Sequence, residues 1–212
     1  MREITAWEAR VRENPGHSRW YVERFRTMAA QGRDLAGEAR MVDAMLARGS
    51  RVLDAGCGPG RVGGELAARG HDVVGVDIDP YLVAAAREDH PGGDWRVGDL
   101  AELDLTERGE EPFDAVVCAG NVMTFLAPGT EVEVLRRMGD QVTADGRVVV
   151  GFGAGRGYPF DRFFGDVERA GLVTELTLAT WDLRPFTAES DFLVAVLRRR
   201  ADEPPRPPAA TS

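Results

Sequence analysis

Two periodicities alternate along this chain. Short apolar runs bounded by glycine, proline or aspartate recur near residues 52–54, 71–77, 95–99, 113–121 and 147–152, and between them apolar positions fall at helical spacing. Runs of this length read as buried strands and the intervening stretches as amphipathic helices, which is the order of a doubly wound α/β sheet. Val62 and Leu66 form an i, i+4 pair in a helix that ends at Gly70. Asp79-Pro80 supplies an N-cap and first turn for a helix carrying Leu82, Val83 and Ala86. Val134, Leu135, Met138 and Val142 make a further helical stripe, after which Asp145-Gly146 turns the chain into a strand at 147–152. Pro159 opens a last helix with Phe160, Phe163, Phe164 and Val167 on one side, read as core, and Gly171 closes it.

The two ends of the chain carry different signals. Residues 3–47 read as helical, broken near Asn14-Pro15-Gly16 and near Gly32, so 1–47 is expected to be a helical cap of the same domain whose main body is 48–200. At the other end, residues 172–182 alternate apolar with polar positions whereas 192–197 (FLVAVL) are apolar throughout. Alternation suits a strand exposed on one face, and a continuous apolar run suits one covered on both. The final strand therefore belongs inside the sheet and the penultimate one at its edge, with Trp181 on that edge strand. Residues 201–212 (ADEPPRPPAATS) are proline-rich and expected to be a disordered tail.

Composition narrows the function classes. With 212 residues, 43% of them hydrophobic, the chain is long enough to bury one substantial core. No apolar run approaches the roughly 18 residues that span a bilayer. The N-terminus MREITAWEARVRE lacks the charged-then-apolar layout of a signal peptide, so a cytoplasmic protein without a membrane partner is expected. The formal charge is −9 and all 26 basic residues are Arg. An acidic balance of this kind argues against a nucleic-acid groove and favours a small-molecule substrate. Cys57 and Cys118 both fall at strand ends and lack metal-ligand spacing, so they read as packing residues and no metal is expected.

The chemistry concentrates at the strand ends. Residues 52–60 (VLDAGCGPG) are a short apolar strand ending in Asp54, followed by Gly56, Gly58 and Gly60 at the opening of a helix. Glycines here let the backbone turn sharply and approach a ligand. A dinucleotide fingerprint would place its third glycine at the position of Arg61, so the spacing favours a different nucleoside ligand. The next strand ends in Asp77, a position from which a carboxylate accepts hydrogen bonds from ribose hydroxyls. A short strand ends near Asp99, with Leu100 after it, and the fourth strand opens into Ala119, Gly120 and Asn121. Polar or small residues thus gather at the carboxyl ends of four successive strands, where open parallel sheets bind ligands.

This series of motifs resembles the class I S-adenosylmethionine-dependent methyltransferases over about residues 18–200. The resemblance implies a three-layer α/β sandwich around a mostly parallel seven-stranded sheet, the last strand antiparallel and inserted between the fifth and sixth, with an N-terminal helical cap. It further implies S-adenosylmethionine as cofactor and S-adenosylhomocysteine as product. Gly56 and Gly58 would approach the methionine part and Asp54 its amino group. Asp77 would hold the ribose, Ile78 would pack on adenine, Asp99 would accept from the adenine amino group, and the Leu100 N–H would meet a ring nitrogen. Ala119 and Gly120 would line the path to the acceptor. Arg26 or Arg24 would pair with the cofactor carboxylate, with Tyr21 closing over it. Acceptor walls would come from Asn121 to Phe125, from the glycine-rich loop 153–159 containing Tyr158, and from the N-terminal aromatic cluster.

Simpler readings stand beside these. A strand-end Asp is also a helix N-cap, which applies to Asp54 and Asp79. The aromatic and Arg cluster at 19–26 also fits an amphipathic helix packed on the sheet. His17 is a candidate base, and His17 and His71 both read as surface residues. The segment after the fourth strand, AGNVM, lacks the Asn/Asp-Pro-Pro-aromatic string of enzymes that methylate amide or base nitrogens. No catalytic residue is assigned. Two alternatives remain open: a noncatalytic module that binds the cofactor, and a nicotinamide-dependent oxidoreductase, whose Tyr/Lys version is excluded because the chain has no Lys.

Overall fold

The computed structural model describes residues 3–200. The stretch 201–212, expected to be a disordered tail, lies outside the described residues. Seven strands form one sheet: β1 (Arg51–Ala55), β2 (Asp72–Asp77), β3 (Asp94–Val97), β4 (Phe113–Cys118), β5 (Val142–Gly153), β6 (Leu172–Leu178) and β7 (Phe192–Arg199). Their spatial order is β3-β2-β1-β4-β5-β7-β6. The pairs β1–β2, β2–β3, β1–β4 and β4–β5 are parallel, and β7 runs antiparallel between β5 and β6. β7 is buried along most of its length, as its continuous apolar run requires, whereas edge strand β6 is buried only at its ends, Leu172 and Leu178; a register shift between Thr174 and Leu176 leaves Leu176 46% exposed, against the alternation expected there. Strand order reverses between β1 and β4, and a crevice opens above their carboxyl ends.

Among the described residues seven α-helices accompany the sheet: α1 (Ala6–Glu13), α2 (His17–Ala30), α3 (Gly37–Ala44), α4 (Arg61–Ala68), α5 (Pro80–Asp89), α6 (Glu131–Asp140) and α7 (Phe160–Arg169). Successive strand residues point to opposite faces and so divide the core. Leu53, Val116 and Val148 join Met138 of α6 and Phe163 of α7 on one side. Val52 and Val117 join Val42 of α3, Leu66 of α4 and Val83 of α5 on the other. α3 therefore belongs to a helical layer of the sandwich, whereas α1 and α2 lie over the crevice, where Trp7 and Val22 pack against Leu82 and Ala85 of α5. The chain breaks at Asn14-Pro15-Gly16 and Gly32 separate these helices as expected. α1 starts in a capping box, Thr5 accepting from the Glu8 N–H while the Glu8 carboxylate accepts from the Thr5 N–H.

Several local expectations are corrected. Val142 already belongs to β5, where it pairs with Phe113, and the next registered pair is Ala115 with Arg147. The Asp145-Gly146 turn is thus a bulge within a longer strand. β6 stops at Leu178, so Trp181 is not on the edge strand but folds back over the sheet, where a Cβ on Gly151 would lie 2.2 Å from its ring. His71 is 5% exposed, not a surface residue: it sits under α3 with Nε2 3.0 Å from Asp43 Oδ1.

Two glycines in regular elements face opposite packing. A Cβ on Gly75 in β2 would stand 2.2 Å from the buried ring of Trp95, whose indole N–H is held by the His90 carbonyl at 2.7 Å. A Cβ on Gly165 in α7 would meet open space. Urea denaturation should show Gly75→Ala destabilised by about 1–3 kcal/mol through overpacking. Gly165→Ala should be stabilised by roughly 0.5–1 kcal/mol through helix propensity.

Candidate functional site

The crevice above β1, β2 and β4 is a cleft lined by the ends of these strands and by residues of α1 and α2. Its floor is the turn after β1. Gly56 and Gly58 take φ of +82° and +53°, a left-handed conformation that only glycine adopts without strain. Gly56 is also sterically required, because a Cβ there would lie 2.4 Å from the Val122 side chain. The turn is pinned to its neighbour strand: the N–H groups of Gly56 and Cys57 both donate to the Val76 carbonyl, at 2.8 and 3.1 Å.

Two carboxylates are built into this floor. Asp54, 2% exposed, accepts the Gly63 N–H at 2.8 Å with Oδ2, so it fastens β1 to the first turn of α4. Asp77, 9% exposed, accepts the Gly58 N–H at 2.8 Å with Oδ2 and the Asp79 N–H at 2.9 Å with Oδ1. Burial pushes the Asp54 carboxyl up to about 7 and the Asp77 carboxyl up to about 6, and the backbone donors oppose the rise only in part. Burial likewise pushes both cysteine thiols up, which keeps Cys57 and Cys118 protonated as packing residues.

The walls complete the enclosure. Ile78 and Leu82 lie beyond β2. Asp99 and Leu100 follow β3, where the Asp99 side chain caps a short 3-10 turn by accepting the Ala101 N–H at 2.9 Å. Ala119 and Gly120 continue β4 into the lining, and Phe125 closes that side. Tyr21 descends from α2, its ring near the space above Gly58, and burial raises its phenol. Eleven of the residues singled out in the sequence therefore meet in one cleft: Asp54, Gly56, Gly58, Asp77, Ile78, Asp99, Leu100, Ala119, Gly120, Tyr21 and Phe125.

Three do not. Arg26 points along the outside of α2, where Asp89 and Glu88 of α5 take its guanidinium at 2.8 and 2.9 Å. The cation in the cleft lining is Arg61, from the first position of α4. Glu38 and the Leu35 carbonyl bind it, and it lies 5.4 Å from the centre of the Phe25 ring. Tyr158 is buried in the core, stacked on Phe152 at 5.5 Å with its hydroxyl donating to Asp166 at 2.7 Å. Asn121, in the left-handed region at φ +69°, turns its side chain to the Gly153 N–H, which it accepts at 2.8 Å. His17 stacks on Trp20 and meets Trp7 at a tilt, outside the lining, and burial and the nearby Arg10 lower it.

Sequence reasoning missed other lining residues. Arg61 carried a signal, as the residue that fills the slot of the absent third glycine. Trp7, Thr5 and Leu126 carried none, since only tertiary folding brings them over strands far along the chain. Among the described residues no group of three or more His, Cys, Asp or Glu side chains is arranged to hold a metal. No helix among them is long and apolar enough to cross a membrane.

A glycine cradle, a buried carboxylate beside it and an apolar slot at Ile78 and Leu100 suit a ligand that carries a diol and a flat ring system. Comparison with known proteins agrees with this donor set. A sequence profile described as a methyltransferase domain matches residues 52–146. A solved structure described as a TehB-like SAM-dependent methyltransferase from Corynebacterium glutamicum is 49% identical, with 88% of this chain and 100% of that chain covered and a TM-score of 0.83. A magnesium-protoporphyrin O-methyltransferase from Rhodobacter capsulatus is 37% identical over 118 residues, 50% of this chain and 48% of that protein. A ubiquinone biosynthesis O-methyltransferase from Azorhizobium caulinodans is 37% identical over 107 residues, 49% of this chain and 40% of that protein. The chain spans about half the length of the curated relatives it matches. It belongs to the class I S-adenosylmethionine-dependent methyltransferases.

The raised Asp54 carboxyl has a stability consequence with a definite sign. A carboxyl whose folded value lies above its unfolded value holds its proton in the folded state, so its contribution is full below pH 4 and is lost as pH rises through about 7. Asp54→Asn retains an acceptor for the Gly63 N–H and removes the titration. Without ligand, the stability of the natural protein relative to this variant should fall by on the order of 2 kcal/mol between pH 5 and pH 8 in urea denaturation. A pH-independent difference would show that Asp54 is ionised throughout.

Proposed function

We propose that this protein transfers a methyl group from S-adenosylmethionine to a small-molecule acceptor in the cytoplasm, releasing S-adenosylhomocysteine. The observation that carries the reading is the bond between Asp77 Oδ2 and the Gly58 N–H. It locks a nucleoside-type carboxylate and a glycine turn into one floor. The 49% identity over a whole solved methyltransferase chain supports it from a second direction. The two free, buried cysteines suit a reducing compartment.

When bound, the cofactor supplies a methyl group on a sulfonium, whose leaving group is already activated. In this cleft the Asp77 carboxylate holds the ribose hydroxyls, Ile78 packs on the adenine ring, and Asp99 with the Leu100 N–H reads its edge. Gly56 and Gly58 offer close backbone approach to the methionine part, and Asp54 faces its amino group. Arg61 takes over the pairing with the cofactor carboxylate expected of Arg26, since Arg26 is held outside the cleft. Tyr21 closes over the floor. Ala119 and Gly120 leave room between cofactor and acceptor, and Phe125 with the other apolar walls excludes water and orients the acceptor. Orientation of two reactants in an enclosed site supplies much of the rate of such a displacement. Asn121 acts on this region indirectly, by fixing Gly153 at the end of β5.

Titration calorimetry with S-adenosylmethionine, S-adenosylhomocysteine and NAD tests the cofactor, with binding of the first two alone expected. Asp77→Ala should weaken S-adenosylhomocysteine binding at least roughly tenfold, as loss of hydrogen bonds to a charged acceptor requires, while the circular dichroism spectrum is kept. Unchanged affinity would remove Asp77 from the site. Because hydroxyl donors favour the ionised carboxylate, affinity should decline as pH falls through about 6, and binding at pH 6 should release a proton, read from calorimetry in buffers of different ionisation enthalpy.

A further inference from the structure

One buried carboxylate beside the cleft takes no part in this cofactor assignment. Asp79 is 7% exposed, and its Oδ1 accepts the Tyr81 N–H at 2.8 Å, which caps α5. Capping needs no more than that bond. Yet Oδ2 also accepts the indole N–H of Trp7 from α1, at 2.8 Å, and the hydroxyl of Ser18 from α2. These contacts bridge 72 and 61 residues of sequence and join both cap helices to the turn after β2.

The same residue is wired to the floor. Its backbone N–H donates to Asp77 Oδ1 at 2.9 Å. A continuous path of hydrogen bonds and covalent backbone thus runs from Asp77 through Asp79 to Trp7. Trp7 forms part of the roof: it meets Tyr21 and Phe125 edge-on at 5.3 and 5.7 Å, and all three rings line the cleft. Of the other ties of the cap, the backbone bond from the Ala6 N–H to the Phe125 carbonyl, at 3.0 Å, fixes the start of α1 without holding the Trp7 ring. Arg26 pairs with Glu88 and Asp89 at the surface, where ion pairs contribute little. The Trp7, Val22, Leu82 and Ala85 cluster holds the helices down but is non-directional. Hydrogen bonds to a buried charged acceptor are both stronger and directional, so Asp79 decides where the Trp7 ring stands.

We propose that Asp79 is a positioning residue that latches α1 and α2 over the cleft and so couples cofactor binding at Asp77 to closure of the cap. The coupling is reciprocal: a bound cofactor stabilises the latched cap as much as the latch stabilises the cofactor. The proposal rests on the cofactor reading above, and the test separates the two.

Asp79→Asn keeps the α5 cap, since Asn caps as well as Asp, but sets an amide donor against the Trp7 N–H. Trp7→Phe removes that N–H from the other side and keeps an aromatic ring. S-adenosylhomocysteine affinity by calorimetry is read together with hydrogen exchange, with and without the same ligand. In the natural protein the ligand should slow exchange across residues 5–30. In each variant affinity should fall roughly tenfold, with the slowing at 5–30 lost and exchange in β1, β4 and β5 unchanged. The double variant should bind no worse than the weaker single one, as coupled partners do. Natural affinity and undiminished slowing in both variants would overturn the latch, as would faster exchange throughout the sheet, which marks general destabilisation. Failure of the natural protein to bind either S-adenosylmethionine or S-adenosylhomocysteine would overturn the cofactor reading itself.

Discussion

The buried Asp77 carboxylate is the constraint on which the rest of the site depends. It ends β2 beside the turn that ends β1, and its two oxygens take one N–H from each of two loops, Gly58 and Asp79. That geometry is available only because β1 and β2 are parallel neighbours in register, with Ala55 opposite Val76, so that the chain leaves β1 at Gly56 beside Asp77, the last residue of β2. Burial of a carboxylate is costly, which is why Asp77 is raised to about 6, and the backbone donors offset part of that cost. What remains is a strained proton balance at the floor of a cleft. A ligand with hydroxyl donors would relieve it.

The sheet separates stability from chemistry along its own axis. At the amino ends of the strands, charged groups pair within the protein: Asp43 of α3 takes His71 Nε2, Arg48 and Arg69, while the buried His71 Nδ1 has no partner among the described residues. At the carboxyl ends, the carboxylates Asp54, Asp77 and Asp99 line the cleft while each accepts a backbone N–H of the turn that follows or neighbours its strand. Between the two lie the apolar layers on either face of β1 and β4, which hold the strand ends in place. The cap then covers only the carboxyl end. Its contacts converge on α5 and on the loop after β4, where the Ala6 N–H donates to the Phe125 carbonyl at 3.0 Å.

The residues that moved away from their expected places did so for reasons of partner and depth. Arg26 and Arg61 carry the same charge, but Arg26 lies on the outer side of α2 within reach of Glu88 and Asp89, whereas Arg61 begins α4 at the glycine turn itself. Tyr158 follows a glycine-rich stretch that suggested a loop over the acceptor. Its ring instead stacks on Phe152 and its hydroxyl finds Asp166, a buried carboxylate one turn and a half into α7. Asn121 keeps the strand-end position but spends its side chain on the Gly153 backbone, so it shapes the cleft from behind.

The linear pattern determined the parts that are local. Strand and helix order, the interior position of β7 against the edge position of β6, the glycine turn and the strand-end carboxylates all follow from apolar period, turn residues and spacing, because each is specified within a few residues of chain. The tertiary structure alone decided which arginine enters the cleft, which aromatics cover it, and that Asp79 holds Trp7 and Ser18 as well as its own helix. Those contacts join residues 60 and more positions apart. Their partners are chosen by the relative placement of whole helices on the sheet, a property to which no short stretch of sequence refers.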